Sequence, residues 1–117
     1  MPMSDTLIDP QTFGELQANA GQDFVAELVG TFAEEAPQIL ADLRGALKAG
    51  EADRFRRAAH SLKSNSNTFG ATRLAELART LELGGLPASA APLDALEAEY
   101  TRTVAALRQM AQGPQHG

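Results

Sequence analysis

The sequence predicts an all-α protein: an antiparallel, up-and-down four-helix bundle with an additional short helix at its N-terminus. Three observations lead there. Four long segments repeat apolar residues at steps of three and four, the spacing that gathers them on one helical face. Short connections marked by glycine and proline separate these segments, and short connections make successive helices antiparallel neighbours. No stretch alternates apolar and polar residues with a period of two, so no half-buried strand is expected.

Asp9-Pro10 opens the short first helix, with Asp9 as N-cap and Pro10 at the first helical position, where its missing N–H costs nothing. This helix runs to about Asn19 with Phe13 and Leu16 facing inward, and Gly21 stops it. The second helix spans about Asp23 to Ala49 on an inner face of Phe24, Leu28, Phe32, Ile39, Leu43 and Leu47, and Gly50 ends it. Pro37 interrupts it. An interior proline removes one hydrogen bond and crowds the carbonyl four residues earlier, at about 3 kcal/mol. The apolar face keeps its phase across Pro37, so a kink rather than a break is expected.

The third helix spans Glu51 to Thr68, with Phe55, Ala59, Leu62, Ser66 and then Phe69 on the core face. Gly70 reads as a tight passage. Ala71 to Leu83 forms the fourth helix, burying Leu74, Leu77, Ala78 and Leu81. Gly84 to Pro92 is the clearest linker, and the last helix takes Leu93, Leu96, Tyr100, Val104, Leu107 and Met110 on one face before Gly113-Pro114. Residues 1–6 and 113–117 read as mobile tails of a single domain.

At 117 residues the chain holds one core and has no room for a catalytic domain beside a regulatory one. Any ATP-binding kinase module is therefore expected on another chain. With no cysteine there is no disulfide framework, thiolate metal site or cysteine nucleophile. No apolar run approaches the roughly 20 residues that span a bilayer, and the acidic, polar start is unlike a signal peptide, so a cytoplasmic, non-membrane protein is expected. The formal net charge of -5 argues against nucleic acid as the main partner. Between Glu51 and Asn67, however, four basic residues (Arg54, Arg56, Arg57, Lys63) stand against two acidic ones. That patch surrounds His60.

On a helix whose core face carries Leu62 and Phe69, His60 lies on the opposite side and faces water, with Arg56, Arg57, Lys63, Ser64 and Asn67 one or two turns away. A lone exposed histidine is ordinarily a surface residue. Its company favours more: a lysine one turn on, two arginines one turn back, and small side chains (Ala59, Ser61, Ser64) that leave room for a partner. These features suit a transient phosphoryl group on the imidazole.

His60-Ser-Leu62-Lys63-Ser64, then Ser66, Phe69-Gly70-Ala71, Leu74, Leu77 and Leu81-Glu82, resembles the signature of the histidine-containing phosphotransfer (HPt) domain. The resemblance implies a phosphorelay intermediate of two-component signalling, with His60 carrying the phosphoryl group on Nε2 between aspartates of receiver domains. Lys63, one turn on, is expected to neutralise the phosphoryl oxygens; Ser64 would either crowd an incoming partner or, with Asn67, donate hydrogen bonds to those oxygens. Arg56, Arg57, Ala59, Ser61 and Asn67 are the expected partner-binding residues. Partners would be receiver domains of response regulators or of a hybrid histidine kinase. The chain would be a monomeric carrier without cofactor or kinase activity of its own, Mg²⁺ being supplied by the receiver. Two departures stand out: Ser64 where the family usually has glycine, and Ala78 where many members carry cysteine.

Other readings are weaker. Gly45 to Gly50 has the glycine spacing of a P-loop, but Glu51-Ala52 follows instead of Lys-Ser or Lys-Thr, at a helix end rather than after a strand. A di-metal bundle needs Glu-x-x-His pairs, and Arg57 stands three residues before His60. Ser61 or Ser64 with His60 lacks the strained turn and oxyanion site of an acyl-transfer enzyme. A helical interaction module that binds a signalling partner without carrying phosphate is the alternative from another class. The helical dimerisation element of a kinase is a third, though it needs a two-helix hairpin dimer and an ATP-binding partner domain.

Overall fold

The computed structural model describes residues 7–112, and the expected mobile tails lie outside the described residues. Five helices follow one another: α1 (Pro10–Ala20), α2 (Gln22–Ala49), α3 (Ala52–Thr68), α4 (Thr72–Gly84) and α5 (Ala91–Gln112). Among the described residues there is no strand. Helices α2 to α5 each pack on the next, and α5 returns to α2, which closes an antiparallel four-helix bundle. Helix α1 packs on α2 as the extra element. No described helix is long and apolar enough to cross a membrane.

The start of α1 is as expected: the Asp9 side chain accepts from the Gln11 N–H at 3.1 Å, and Pro10 occupies the first turn. Gly21 alone separates α1 from α2, and Gly50 closes α2 in the left-handed region at φ 72°. Gly70 is the tightest point. At φ 77° it places its carbonyl to accept from the Asp9 N–H at 2.7 Å, and a Cβ there would lie 2.8 Å from Thr12 Cβ and 3.1 Å from the Asp9 carbonyl oxygen. The α3–α4 turn is thereby pinned to the first turn of α1.

Helix α2 runs unbroken through Pro37. Proline leaves the carbonyl of Ala33, four residues earlier, without its helical donor. The Tyr100 hydroxyl of α5 donates to that carbonyl at 2.8 Å. The neighbouring helix thus satisfies the acceptor that the proline orphaned.

Phe32 and Leu43 of the expected inner face of α2 are buried, but elsewhere the buried residue is a neighbour of the expected one. Val25, Val29, Phe32, Ala36, Leu40, Leu43 and Ala46 are buried, whereas Leu28, Ile39 and Leu47 are half-buried at its margins and Phe24 is 52 % exposed. Apolar residues occur as neighbours along this helix, so periodicity alone defines a wide arc. Its centre combines small side chains (Val25, Val29, Ala36, Ala46) with Phe32, Leu40 and Leu43. In α4, Leu77 is likewise displaced to the surface at 36 %, and Ala75 takes the buried place. Helix α5 begins two residues before Leu93, because Pro92 sits in its first turn, where proline is tolerated. The core is completed by Phe13, Phe55, Leu62, Leu74, Leu93, Leu96 and Leu107, with Phe32 against Phe69 (ring centroids 5.4 Å apart) and Tyr100 (6.0 Å).

Candidate functional site

Phe55, Ala59, Leu62 and Ser66 anchor α3 in the core, so the opposite side of the helix is held outward on a rigid support. His60 projects from that side with 54 % of its side chain exposed. Across the α3–α4 seam stands Glu82, whose Oε2 lies 2.8 Å from His60 Nδ1. A carboxylate can only accept, so the proton of this contact is on Nδ1. In the neutral ring this leaves the lone pair on Nε2, which makes no contact with a polar partner among the described residues.

The other carboxylate oxygen of Glu82, Oε1, is 2.9 Å from Lys63 Nζ. Lys63 and His60 are one turn apart on α3, and the single acid on α4 serves both. Only 12 % of the Glu82 side chain is exposed. The Lys63 ammonium foremost, and the His60 imidazole after it, hold the Glu82 carboxyl below the usual carboxylate range. Glu82 is therefore an anion, positioned to fix the tautomer of the ring and to stabilise positive charge that develops on it.

The other expected site residues fall into distinct places. Ser61, Ser64 and Asn67 are exposed, Ser61 toward a groove shared with Ile39, Asp42, Arg54 and Arg57, and Asn67 toward α4 with Lys63. Ala59 is fully buried, so it supports α3 from within and offers nothing to a partner; position 59 repeats the core spacing of 55, 62 and 66, and that burial outweighs its nearness to His60 in sequence. Arg56 and Arg57 both pair with Asp53, at 2.7 and 3.1 Å, and Arg54 bridges Asp42 and Glu51. The basic run of α3 is thus largely balanced by carboxylates, although Arg56 and Arg57 remain at the surface.

Glu82 is the functional residue that sequence reasoning about the α3 helix missed. Its signal was present in the Leu81-Glu82 pair: Leu81 is buried, and the next residue along α4 points into the α3–α4 seam at the height of His60. Spacing within one helix cannot reveal such a partner, because the register between two helices sets it.

The exposed imidazole with a fixed tautomer, an open outer nitrogen and an adjacent ammonium makes a nucleophile with charge compensation. The Hpt domain family model matches residues 27–109. The crystal structure of histidine-containing phosphotransfer protein B (HptB) from Pseudomonas aeruginosa PAO1 is similar to this one with a TM-score of 0.73 and 28% sequence identity, over 92% of this chain and 93% of that chain. No curated protein matches the chain.

Proposed function

This chain belongs to the Hpt domain family and has a histidine phosphotransfer function in two-component phosphorelay, and we propose that His60 is the residue that carries the phosphoryl group. The observation that supports this most is the His60–Glu82 contact at 2.8 Å on an otherwise open ring. Nε2 attacks the phosphorus of a receiver aspartyl phosphate; the P–N bond forms as the P–O bond breaks, and the aspartate carboxylate leaves with the electron pair. Nδ1 keeps its proton, and the positive charge that appears on the ring is balanced by Glu82. Transfer to the next receiver reverses these steps.

Lys63 is placed to neutralise phosphoryl oxygens from one turn away, and Ser64 and Asn67 to donate hydrogen bonds to them. Ser64 in place of glycine narrows the approach beside the ring. Arg56, Arg57 and Ser61 are the surface residues that would meet an acidic receiver, and their pairing with Asp53 makes the steering short-ranged and salt-sensitive. Both receivers must present an aspartate to the same nitrogen, so they bind alternately. Mg²⁺ is placed on the receiver. The chain acts as a monomeric, cytoplasmic carrier without ATP-dependent kinase activity, as one domain, and exchanges phosphate with receiver domains and a hybrid kinase.

The test is labelling. His60→Gln removes acid-labile, alkali-stable phosphate acquired from a phosphorylated receiver while leaving the helical signal in place. Undiminished labelling of that variant rules out this residue, and receiver binding that persists with no labelling of the wild type supports an interaction module instead.

A further inference from the structure

Glu82 stands opposite His60 across an antiparallel helix pair. One turn back along α4 therefore lies opposite one turn forward along α3, which sets Arg79 against Lys63. The structure agrees: Lys63, Asn67, Thr72, Ala75, Glu76 and Arg79 line one open groove between α3 and α4.

Arg79 differs from every other cation of these two helices. Arg54 is held by Asp42 and Glu51, Arg56 and Arg57 by Asp53, Lys63 by Glu82, and Arg73 by Glu99. Arg79 is exposed and makes no hydrogen bond or ion pair among the described residues, although Glu76 lies one turn away on its own helix. An arginine left unpaired in a groove beside a paired lysine is free to take an anion that arrives.

The charge of the site says which anion. Neutral His60, cationic Lys63 and anionic Glu82 together carry no net charge. Loading Nε2 adds a phosphoryl dianion and makes the protonated ring positive, so even with the Lys63 ammonium counted the site is left with one negative charge in excess. We propose that Arg79 is a phosphoryl-binding residue of the loaded carrier, reaching along the groove past Lys63 to the oxygens on His60 Nε2. Residues three apart on a helix are neighbours at about 5–6 Å between Cβ atoms, so Arg79 starts one turn from the carboxylate that already touches the ring. The planar guanidinium presents two parallel N–H donors to two phosphoryl oxygens at once, a fixed fork that an ammonium lacks. This role rests on His60 being the carrier.

Phosphoramidate tests it without a partner protein. Nε2 displaces ammonia from the phosphorus, the P–N bond to the ring replacing the one to the departing nitrogen, and Nδ1 keeps its proton. In ¹H–¹⁵N spectra of the wild-type protein the Arg79 Nε–H signal should move on loading, and in His60→Gln treated identically it should not. Arg79→Ala should load about 3–10-fold more slowly at low salt, with Arg79→Lys recovering only part of the rate. An Arg79 signal that stays in place on loading, or an alanine variant that loads at the wild-type rate, overturns the proposal. If His60→Gln loads like the wild type, the carrier assignment itself has failed, which is a separate and recognisable outcome.

Discussion

The bond from Tyr100 to the Ala33 carbonyl exists because Pro37 withdrew the helical donor, and that dependence can be measured. In Tyr100→Phe the carbonyl loses its replacement donor in a half-buried setting. Leaving a buried acceptor unsatisfied costs about 1–3 kcal/mol, and partial exposure of Ala33 and Tyr100 places this case near about 1.5 kcal/mol. For a chain of this size such a loss lowers the melting temperature by roughly 5 °C. In a Pro37→Ala background the restored N–H bonds the same carbonyl within the helix, so Tyr100→Phe should then cost about 0.5 kcal/mol or less. The two substitutions are thus coupled by about 1 kcal/mol, beyond the ~0.5 kcal/mol scatter of independent sites. Urea unfolding of the four proteins, with unchanged denaturant slopes, gives the coupling. Strict additivity would refute the claim that α5 repairs α2. The point matters for the site because Pro37 lies between the parts of α2 that face Asn65 and Ser61 of α3, so a break there would release the wall behind His60.

Gly70→Ala combines a left-handed backbone with a Cβ 2.8 Å from Thr12 Cβ, and should cost about 2–4 kcal/mol in urea unfolding. Thr12→Ala should remove only the Cγ2 contact at 3.1 Å and leave the Cβ clash at 2.8 Å, whereas Thr12→Gly removes both, so the glycine variant should recover more of the lost stability; equal recovery in both would contradict the geometry. Glu82→Gln keeps an acceptor for Nδ1 but loses the charge, and Glu82→Ala loses both. Loading of His60 from phosphoramidate should therefore fall in the order wild type, glutamine, alanine, by about 10-fold or more at the last step; equal rates would show that Glu82 does not tune the ring. The folded-state pKa of Glu82 is depressed, so its pairing adds stability that is fully present above the ordinary carboxyl value, near ~4.3, and is lost as the pH falls through the lowered value. The stability gap between wild type and Glu82→Gln should accordingly close as the pH falls below about 4; a gap that widens below that pH would reverse the sign.

The architecture was legible in the sequence because helix periodicity and the glycines at 21, 50 and 70 are local signals. The phase of α2 was less so. Phe24 and Val25, Leu28 and Val29, and Ile39 and Leu40 are adjacent apolar pairs, and which member faces inward depends on how closely α3 and α5 approach. The exposed position of His60 followed from the core spacing of α3, and the same spacing should have excluded Ala59 from the surface. Lys63 could be placed beside His60, but its tie to Glu82 could not, since cross-helix register is a property of packing. Charge balance was hidden for a related reason: a count of arginines on α3 omits Asp42, which α2 brings to Arg54.

The most direct test of the account is the chemical position of the phosphate. The protein is loaded with phosphoramidate and the imidazole nitrogens of His60 are resolved by long-range ¹H–¹⁵N correlation with ³¹P detection. The account predicts a single P–N bond at His60 Nε2, with Nδ1 still protonated beside Glu82. Phosphate on Nδ1, or on a residue other than His60, would contradict it.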